Sequence, residues 1–544
     1  MKVRWAYLKR VLAGAIFGLY IAHLLYFLNP QVDITPGRLA TVTIIYGVIC
    51  GILFGTALWL LRLLRVKIFG KPESDGAYRA HGFGFVVLAA FIAAALYWMH
   101  LYVFRIGYLP IGAVRVLSKA TNLITITAFA LFLLWVIERN ADRRQSRVIF
   151  ITGVVLIAIS SFFLYQRRDS YRVEKQSVVV ADVGTVAGQQ PVIVVAVRNL
   201  PYDWILTLTG EGSLPFFDRA RNRGYFTRLE PFPGNQEALW ASIATGKLPF
   251  RHGVTGQFAY RTPLNGGDAS ERFLILPSGV GFRVWGLIPP VERIAPQLPS
   301  GDVLPVWALF NRVGLQSAVI DWPGAARSPV TQSPSPAIAQ RFNGTGRARQ
   351  RIVSGLAADL STVARVRAAA ADRRFALVAG ALNGFEEAQR AIHIFANDLP
   401  PRSTMKGEVL RAYVEQIDGM LASIAHQFPD HLLVVVSPSG PVPPPLASTP
   451  YALLRDWLSV EDPGADDGFV MISGSGVAHP QKPAPSAPDD VVPTILYAVG
   501  LPVGRDMDGH VLTDAFTDDV LRRSALSLVQ TYEAKRLLVR RGAV

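Results

Sequence analysis

Residues 231–253 read PFPGNQEALWASIATGKLPFRHG. A Pro/Gly-rich loop leads into a short apolar helix through Leu239, Trp240, Ala241 and Ser242, then Thr245-Gly246, then a Pro-x-x-His-Gly turn at Pro249, His252 and Gly253. A loop running into a helix start presents unpaired backbone N–H groups and the positive end of the helix dipole, which suits a phosphate or sulfate. An enzyme would put a hydroxyl nucleophile there, beside metal ions that hold it as an alkoxide. The residues available are Asn235 and Gln236, which are amides. The stretch therefore reads as the approach to an active site whose reactive group is missing.

Around it, buried strands are expected at residues 192–197 (VIVVAV), 315–321, 375–381, 432–437 and 468–473, which are short apolar runs rich in β-branched residues. Helical patterns lie between them, near residues 214–223, 303–313, 384–395, 406–427 and 488–500. Strands separated by helices imply an α/β domain with a mainly parallel sheet, here over residues 191–544, with ligands gathering at the C-terminal strand ends.

Residues 1–165 are of another kind. Five apolar runs, at about 11–28, 41–64, 82–104, 122–137 and 148–165, approach or reach the length that crosses roughly 30 Å of hydrocarbon. They predict a five-helix transmembrane domain, joined by a linker at residues 166–190. Gly14, Gly18, Gly47, Gly51 and Gly55 recur in small-xxx-small spacing, which favours close helix contacts. The chain's net charge of +15 is concentrated here, with 17 Lys and Arg against 5 Asp and Glu before residue 166. A nearly neutral remainder argues against nucleic acid as a partner. Basic residues cluster before the first run, after the second and after the fourth, so the positive-inside rule makes those segments cytoplasmic. The expected location is the bacterial inner membrane, multi-pass, with a cytoplasmic N-terminus and a periplasmic C-terminal domain. The lone Cys50 allows no intrachain disulfide, so that domain must be stable through its core.

Several stretches recur in a fixed order: Tyr202-Asp203-Trp204, Leu214-Pro215, Trp240-Ala241-Ser242 through Thr245-Gly246 to His252-Gly253, and Pro305-Val306-Trp307 with Gly314 and Asp321-Trp322-Pro323. The ending adds Asp490, Pro493-Thr494-Ile495-Leu496, Gly500-Leu501-Pro502 and Met507-Asp508-Gly509. In these the chain resembles the type I phosphodiesterase/nucleotide pyrophosphatase branch of the alkaline phosphatase superfamily, a sulfatase-like fold. The resemblance implies two divalent metals such as zinc or manganese, held by Asp and His, with a Thr or Ser hydroxyl attacking phosphorus between them.

Position by position, that machinery is replaced. Where the resemblance implies Asp-Gly after the first strand, the chain has Arg198-Asn199; at the nucleophile it has Gln236; for Asp-x-x-x-His it has Glu386 and Arg390. Ser437-Pro438-Ser439-Gly440 stands for Ser-Asp-His-Gly, and the last metal His falls near Gly464. Guanidinium groups at 198 and 390 cannot be deprotonated to accept a metal, but they can pair with Glu386 or grip an anion. No cofactor is therefore expected. The binding candidates are Arg198, Asn199, Gln236, Glu386, Arg390, Ser437 and Ser439.

Ser242, Ser437 and Ser439 lack an adjacent His and Asp in the sequence, His252 reads as structural, and the basic run at 341–351 reads as a solvated loop. Five helices before such a domain also resemble the architecture of lipoteichoic-acid synthase and the phosphoethanolamine transferases. The expected function is a membrane-anchored pseudoenzyme that acts as a binding or scaffold module, with the lipid bilayer, another envelope or membrane protein, and an anionic ligand as partners. The alternative is an active phosphodiesterase, phosphotransferase or sulfatase-like hydrolase that works on a lipid- or envelope-linked head group through a rearranged site.

Overall fold

The computed structural model describes residues 36–69, 75–104, 111–167, 180–185, 190–232, 236–252, 254, 259–261, 292–294, 303–323, 328–394, 399–441, 466–533 and 536–541, with helical stretches inside 7–20. Asn235, Gly253, Gly464 and most of the linker lie outside the described residues.

The N-terminal part contains helices α1 (Pro36–Phe69), α2 (Asp75–Phe104), α3 (Ile111–Glu138) and α4 (Arg143–Arg167). Among the described residues two helical segments, Val114–Glu138 and Arg144–Gln166, are long and apolar enough to cross a membrane. Five were expected. Two shorter apolar helical stretches, Arg10–Tyr20 and Val86–Ala95, are found as well. The run at 122–137, the shortest by sequence, belongs to one of the two clear spans. Helix α3 begins at Ile111, well before the apolar run expected at 122–137, and exposed Arg115 and Lys119 sit on its first turns, where long basic stems can reach a polar boundary.

Between α3 and α4, Asp142 forms a capping box. Its Oδ1 accepts from the backbone N–H groups of Arg144 and Gln145, both at 2.8 Å, while Gln145 Oε1 accepts from Asp142 N at 3.0 Å. The small-residue spacing has its expected effect in α1. A Cβ on Gly55 would lie 2.6 Å from Val11 Cα, and one on Gly51 would lie 3.1 Å from Val11 O. Helices α2, α3 and α4 share an apolar core around Phe83, Tyr97, Leu117 and Leu131, whereas Ile126, Phe129, Leu133, Ile151 and Phe162 face outward. Such an apolar outer surface suits a lipid environment.

The C-terminal domain is built on a six-stranded sheet. Its strands are β1 (Val192–Val197), β2 (Tyr225–Leu229), β3 (Gln316–Ile320), β4 (Phe375–Leu382), β5 (Leu432–Ser439) and β6 (Asp467–Ser473), in the spatial order β2-β6-β5-β1-β4-β3. The neighbours β5, β1, β4 and β3 are parallel, and β6 is antiparallel to both β5 and β2. Two small parallel pairings lie apart: Val180–Thr185, within the expected linker, pairs with Arg536–Arg541, and Val503–Gly504 pairs with Leu528–Val529.

The unbroken apolar runs follow from burial on two faces. Ile193, Val195 and Val197 enter one core, while Val192, Val194 and Ala196 enter the other. The first core is covered by α5 (Tyr202–Gly210), α6 (Pro215–Arg223), α9 (Arg349–Ala371), α10 (Gly384–Ala391) and α11 (Met405–Gln427). The second lies under α7 (Gln236–Thr245), α8 (Val306–Arg312) and α12 (Val491–Ala498). The result is a three-layer α/β/α domain.

Helix α9 corrects the reading of 341–351 as a loop. Residues Asn343–Ala348 form a 3₁₀ helix that runs into α9, and Arg341 pairs with Glu415 at 2.8 Å. The inner face of α9 is built from small residues such as Gly355, Ala357, Ser361 and Thr362, which leave a weak apolar periodicity. The close approach they allow is visible at Gly380 of β4, where a Cβ would meet Val366 of α9 at 2.5 Å.

Asp359 ties this helix to its neighbours. Its carboxylate is buried and accepts from Gly384 N and from Tyr413 Oη, both at 2.9 Å. Burial pushes its pKa up to about 7, against the partial opposition of those hydrogen bonds. The folded state thus holds this proton more tightly than the unfolded chain, whose aspartates titrate near about 4. Asp359 contributes most to stability below that value, and its contribution is lost as pH rises to about 7. Asparagine keeps an acceptor for Gly384 N and gives Tyr413 Oη a donor. Asp359→Asn should therefore gain on the parent in melting temperature as pH is raised from about 4.5 to about 8; a pH-independent difference between the two proteins would contradict this.

Candidate functional site

The candidate residues meet at the C-terminal edge of the sheet, each delivered by the end of an element. Arg198 follows β1, and its backbone N–H donates to Leu382 O at 3.1 Å. Asn199 then turns the chain at a φ of 58°, a left-handed conformation that asparagine tolerates better than most residues. The Asn199 carbonyl accepts from Gln389 Nε2 at 3.1 Å, and Leu200 N donates to Ser437 Oγ at 3.1 Å. The turn after β1 is thereby fixed to α10 on one side and to the end of β5 on the other.

Glu386, on the first turn of α10, is 5% exposed and has a cation on each oxygen. Arg198 Nε lies 3.1 Å from Oε2, and Arg390 Nη2 donates to Oε1 at 2.7 Å. The first contact is an ion pair without a well-aligned hydrogen bond, since the Arg198 Nε–H has no acceptor in line. The arginines are unequal: the Arg198 side chain is 16% exposed and that of Arg390 is 59%. The Arg198 guanidinium carbon also stands 5.9 Å from the ring centroid of Trp240.

Gln236 begins α7, where its Nε2 donates to Ser439 Oγ at 2.5 Å. Trp240 lies one turn further along the same helix face and packs edge-on against Trp322, which in turn meets Trp307. Ser437 Oγ and Ser439 Oγ pass their own protons to carbonyl oxygens, at Ser439 and Gly440 respectively. All seven sequence-derived candidates are thus joined, directly or through Trp240, at one edge. Several buried atoms there have no partner among the described residues: the amide oxygens of Asn199, Gln236 and Gln389, and the indole N–H of Trp240 and of Trp322.

Two features were not apparent from the sequence. Trp240 bridges the halves of the site, a contact that only the fold creates. Ser242 and His252 also form a pair after all, with Oγ 3.0 Å from Nε2 inside the core. Val254 N donates to His252 Nδ1 at 3.1 Å, so Nε2 carries the ring proton and donates to the serine. An imidazole in that tautomer cannot take the Ser242 proton, and both side chains are buried. The pair is structural.

Charge near the site is neutralised locally. Lys247, whose side chain is 5% exposed, pairs with Asp506 and Glu533, each at 2.7 Å. Arg251 pairs with Asp508 at 2.8 Å, and Asp508 also accepts from Leu248 N at 3.0 Å. Glu386 faces a guanidinium group at each of its oxygens, while Glu237, next to Gln236 on the first turn of α7, keeps a buried Oε2 that has no partner among the described residues. Elsewhere, His479 bonds Gly224 O and His510 stands beside Asp490, so these histidines are dispersed.

Residues 192–520 match the family model described as "Type I phosphodiesterase / nucleotide pyrophosphatase". The chain belongs to this family. Its parent, the alkaline phosphatase superfamily, supplies similar solved structures. BT1596, a 2-O GAG sulfatase, matches at 12% identity and a TM-score of 0.38, over 60% of this chain and 74% of its own. Murine ectonucleotide pyrophosphatase / phosphodiesterase 5 matches at 12% identity and a TM-score of 0.38, over 60% of this chain and all (100%) of its own. The alkaline phosphatase PafA matches at 10% identity and a TM-score of 0.41, over 61% of this chain and 100% of its own. No curated protein matches the chain.

Proposed function

We propose that this family member is a membrane-anchored pseudoenzyme whose domain at residues 191–544 serves as a binding or scaffold module in the periplasm. One observation carries the reading: the Arg198 guanidinium, fixed at the end of β1, is paired with Glu386 at 3.1 Å. The family's chemistry would need carboxylates and imidazoles there. Two guanidinium groups, amides and hydroxyls around the doubly paired Glu386, with no cluster of three or more His, Cys, Asp or Glu among the described residues, do not fit a pair of divalent cations, so no catalytic step is derived through them. Gln236 cannot supply a nucleophile, since an amide has no lone pair to match an alkoxide.

Binding is favoured over simple packing by the unspent polar atoms. Buried amide oxygens and indole N–H groups normally find partners, and here five, from Asn199, Gln236, Gln389, Trp240 and Trp322, have none among the described residues. An anionic ligand would meet Arg198 and the indole donors. The two apolar helices support a membrane anchor. The fuller topology belongs to the same proposal: five crossings of a bacterial inner membrane, the N-terminus in the cytoplasm, the bilayer and another envelope protein as partners.

Purified full-length protein is expected to hold no stoichiometric zinc or manganese and to leave bis-p-nitrophenyl phosphate intact, and Gln236→Thr should behave in the same way, because a hydroxyl without metals stays protonated. Bound metal together with hydrolysis by the parent would overturn the pseudoenzyme. For the topology, a reporter active only outside the cytoplasm should work when fused at Val544 and stay silent when fused near Arg144. The reverse pattern would remove the periplasmic assignment.

A further inference from the structure

A separate cavity of 410 Å³ opens beyond the C-terminal ends of β3 and β4, between Asp321, one face of α9 and the start of α10. Its volume is that of a small-molecule site, and its position, past the carboxyl ends of adjacent parallel strands, is where open α/β sheets collect ligands. It shares α10 with the Arg198 edge but no side chain: Glu386 turns to Arg198, while Glu387 lines the cavity.

At one end the charges are spent on each other. Arg365 Nη2 bonds the Asp321 carboxylate, and its Nη1 donates to Pro329 O at 2.9 Å. Asp321 also accepts from Thr362 Oγ1 and from Ser328 N, each at 2.6 Å. The Arg365 Nε–H is buried and has no acceptor among the described residues. Asn383 donates both its amide hydrogens, to Asp321 O at 3.0 Å and Ala381 O at 3.2 Å, so its Oδ1 remains an available acceptor.

Arg351, on the same face of α9, and Glu387, on α10, both line the cavity, and neither has a hydrogen-bond or ion-pair partner among the described residues. A simple anion would gain from Arg351 and lose to Glu387, and a simple cation the reverse. A molecule that carries both charges satisfies both. We propose that this cavity binds a small zwitterion bearing a carboxylate and an ammonium, an amino acid or a short peptide, with the carboxylate on Arg351 and the ammonium on Glu387. Arg365 Nε–H and Asn383 Oδ1 supply a further donor and acceptor for its polar backbone or side chain. The site does not depend on whether the Arg198 edge is a pseudoenzyme.

The test is calorimetric titration of the full-length protein in detergent with glycine, L-alanine, L-lysine, L-glutamate and trialanine, using acetate and ethylamine as single-charge probes. At least one zwitterion should bind saturably, about tenfold or more tighter than either single-charge probe. Arg351→Gln and Glu387→Gln should each weaken it by about tenfold or more without moving the melting temperature of the unliganded protein. Trialanine binding with no free amino acid would assign the site to peptides, and the converse to free amino acids; both support the proposal. Absence of binding by every zwitterion, equal binding of acetate or ethylamine, or binding that survives both substitutions would overturn it.

Discussion

A carboxylate that is 5% exposed at the edge of a parallel sheet must be compensated, and the arrangement around Glu386 is the consequence. Two guanidinium groups answer it, one from the end of β1 and one from the next turn of its own helix. Arg198 is held by its backbone bond to Leu382, by the left-handed Asn199 that follows, and by the stack with Trp240. The rest of the edge is arranged around that fixed cation: the Gln236–Ser439 bond closes one side and the Gln389–Asn199 bond the other.

The residues that carry the family resemblance have mostly structural work. Gly246 adopts a φ of 67° and its carbonyl accepts from Asp508 N at 3.0 Å, while a Cβ on Gly509 would fall 2.0 Å from Asp489 O. Gly246 and the Asp508-Gly509 turn are thus held backbone to backbone, and Gly509 admits the close approach of Asp489. His252 fills a core position against Ser242. These constraints come from packing and are independent of the chemistry at the Arg198 edge.

The same distinction sets what could be read in the sequence. Strands β1, β4 and β5 were legible because burial on both faces leaves an uninterrupted apolar run, which few other structures require. Strand β2, YFTRL, was not, since its short run is broken by the exposed Arg228. Helix α9 hid behind small residues and a basic N-terminus. For the site, Arg198, Glu386 and Arg390 could be brought together from motif order alone. The cation over Trp240, the tautomer of His252 and the unpaired charges of Arg351 and Glu387 depend on contacts between elements distant in sequence, and no local pattern encodes them. In the N-terminal part, two of the five expected spans are found among the described residues, and Arg115 and Lys119 sit on helical turns ahead of the apolar run that marked the fourth.

The central claim is that the Arg198–Glu386 pair holds the edge of the sheet in place of a metal site. It is tested most directly by a double-mutant cycle on the full-length protein, with melting temperature measured for Glu386→Gln, Arg198→Met and the two combined. Breaking a buried pair from one side typically costs about 3–5 kcal/mol, so Glu386→Gln should lower the melting temperature by several degrees. Adding Arg198→Met should restore a substantial part of that loss, because the unpaired guanidinium is then gone as well. Single losses that simply add, or a Glu386→Gln protein that melts with the parent, would show that the pair does not hold the site.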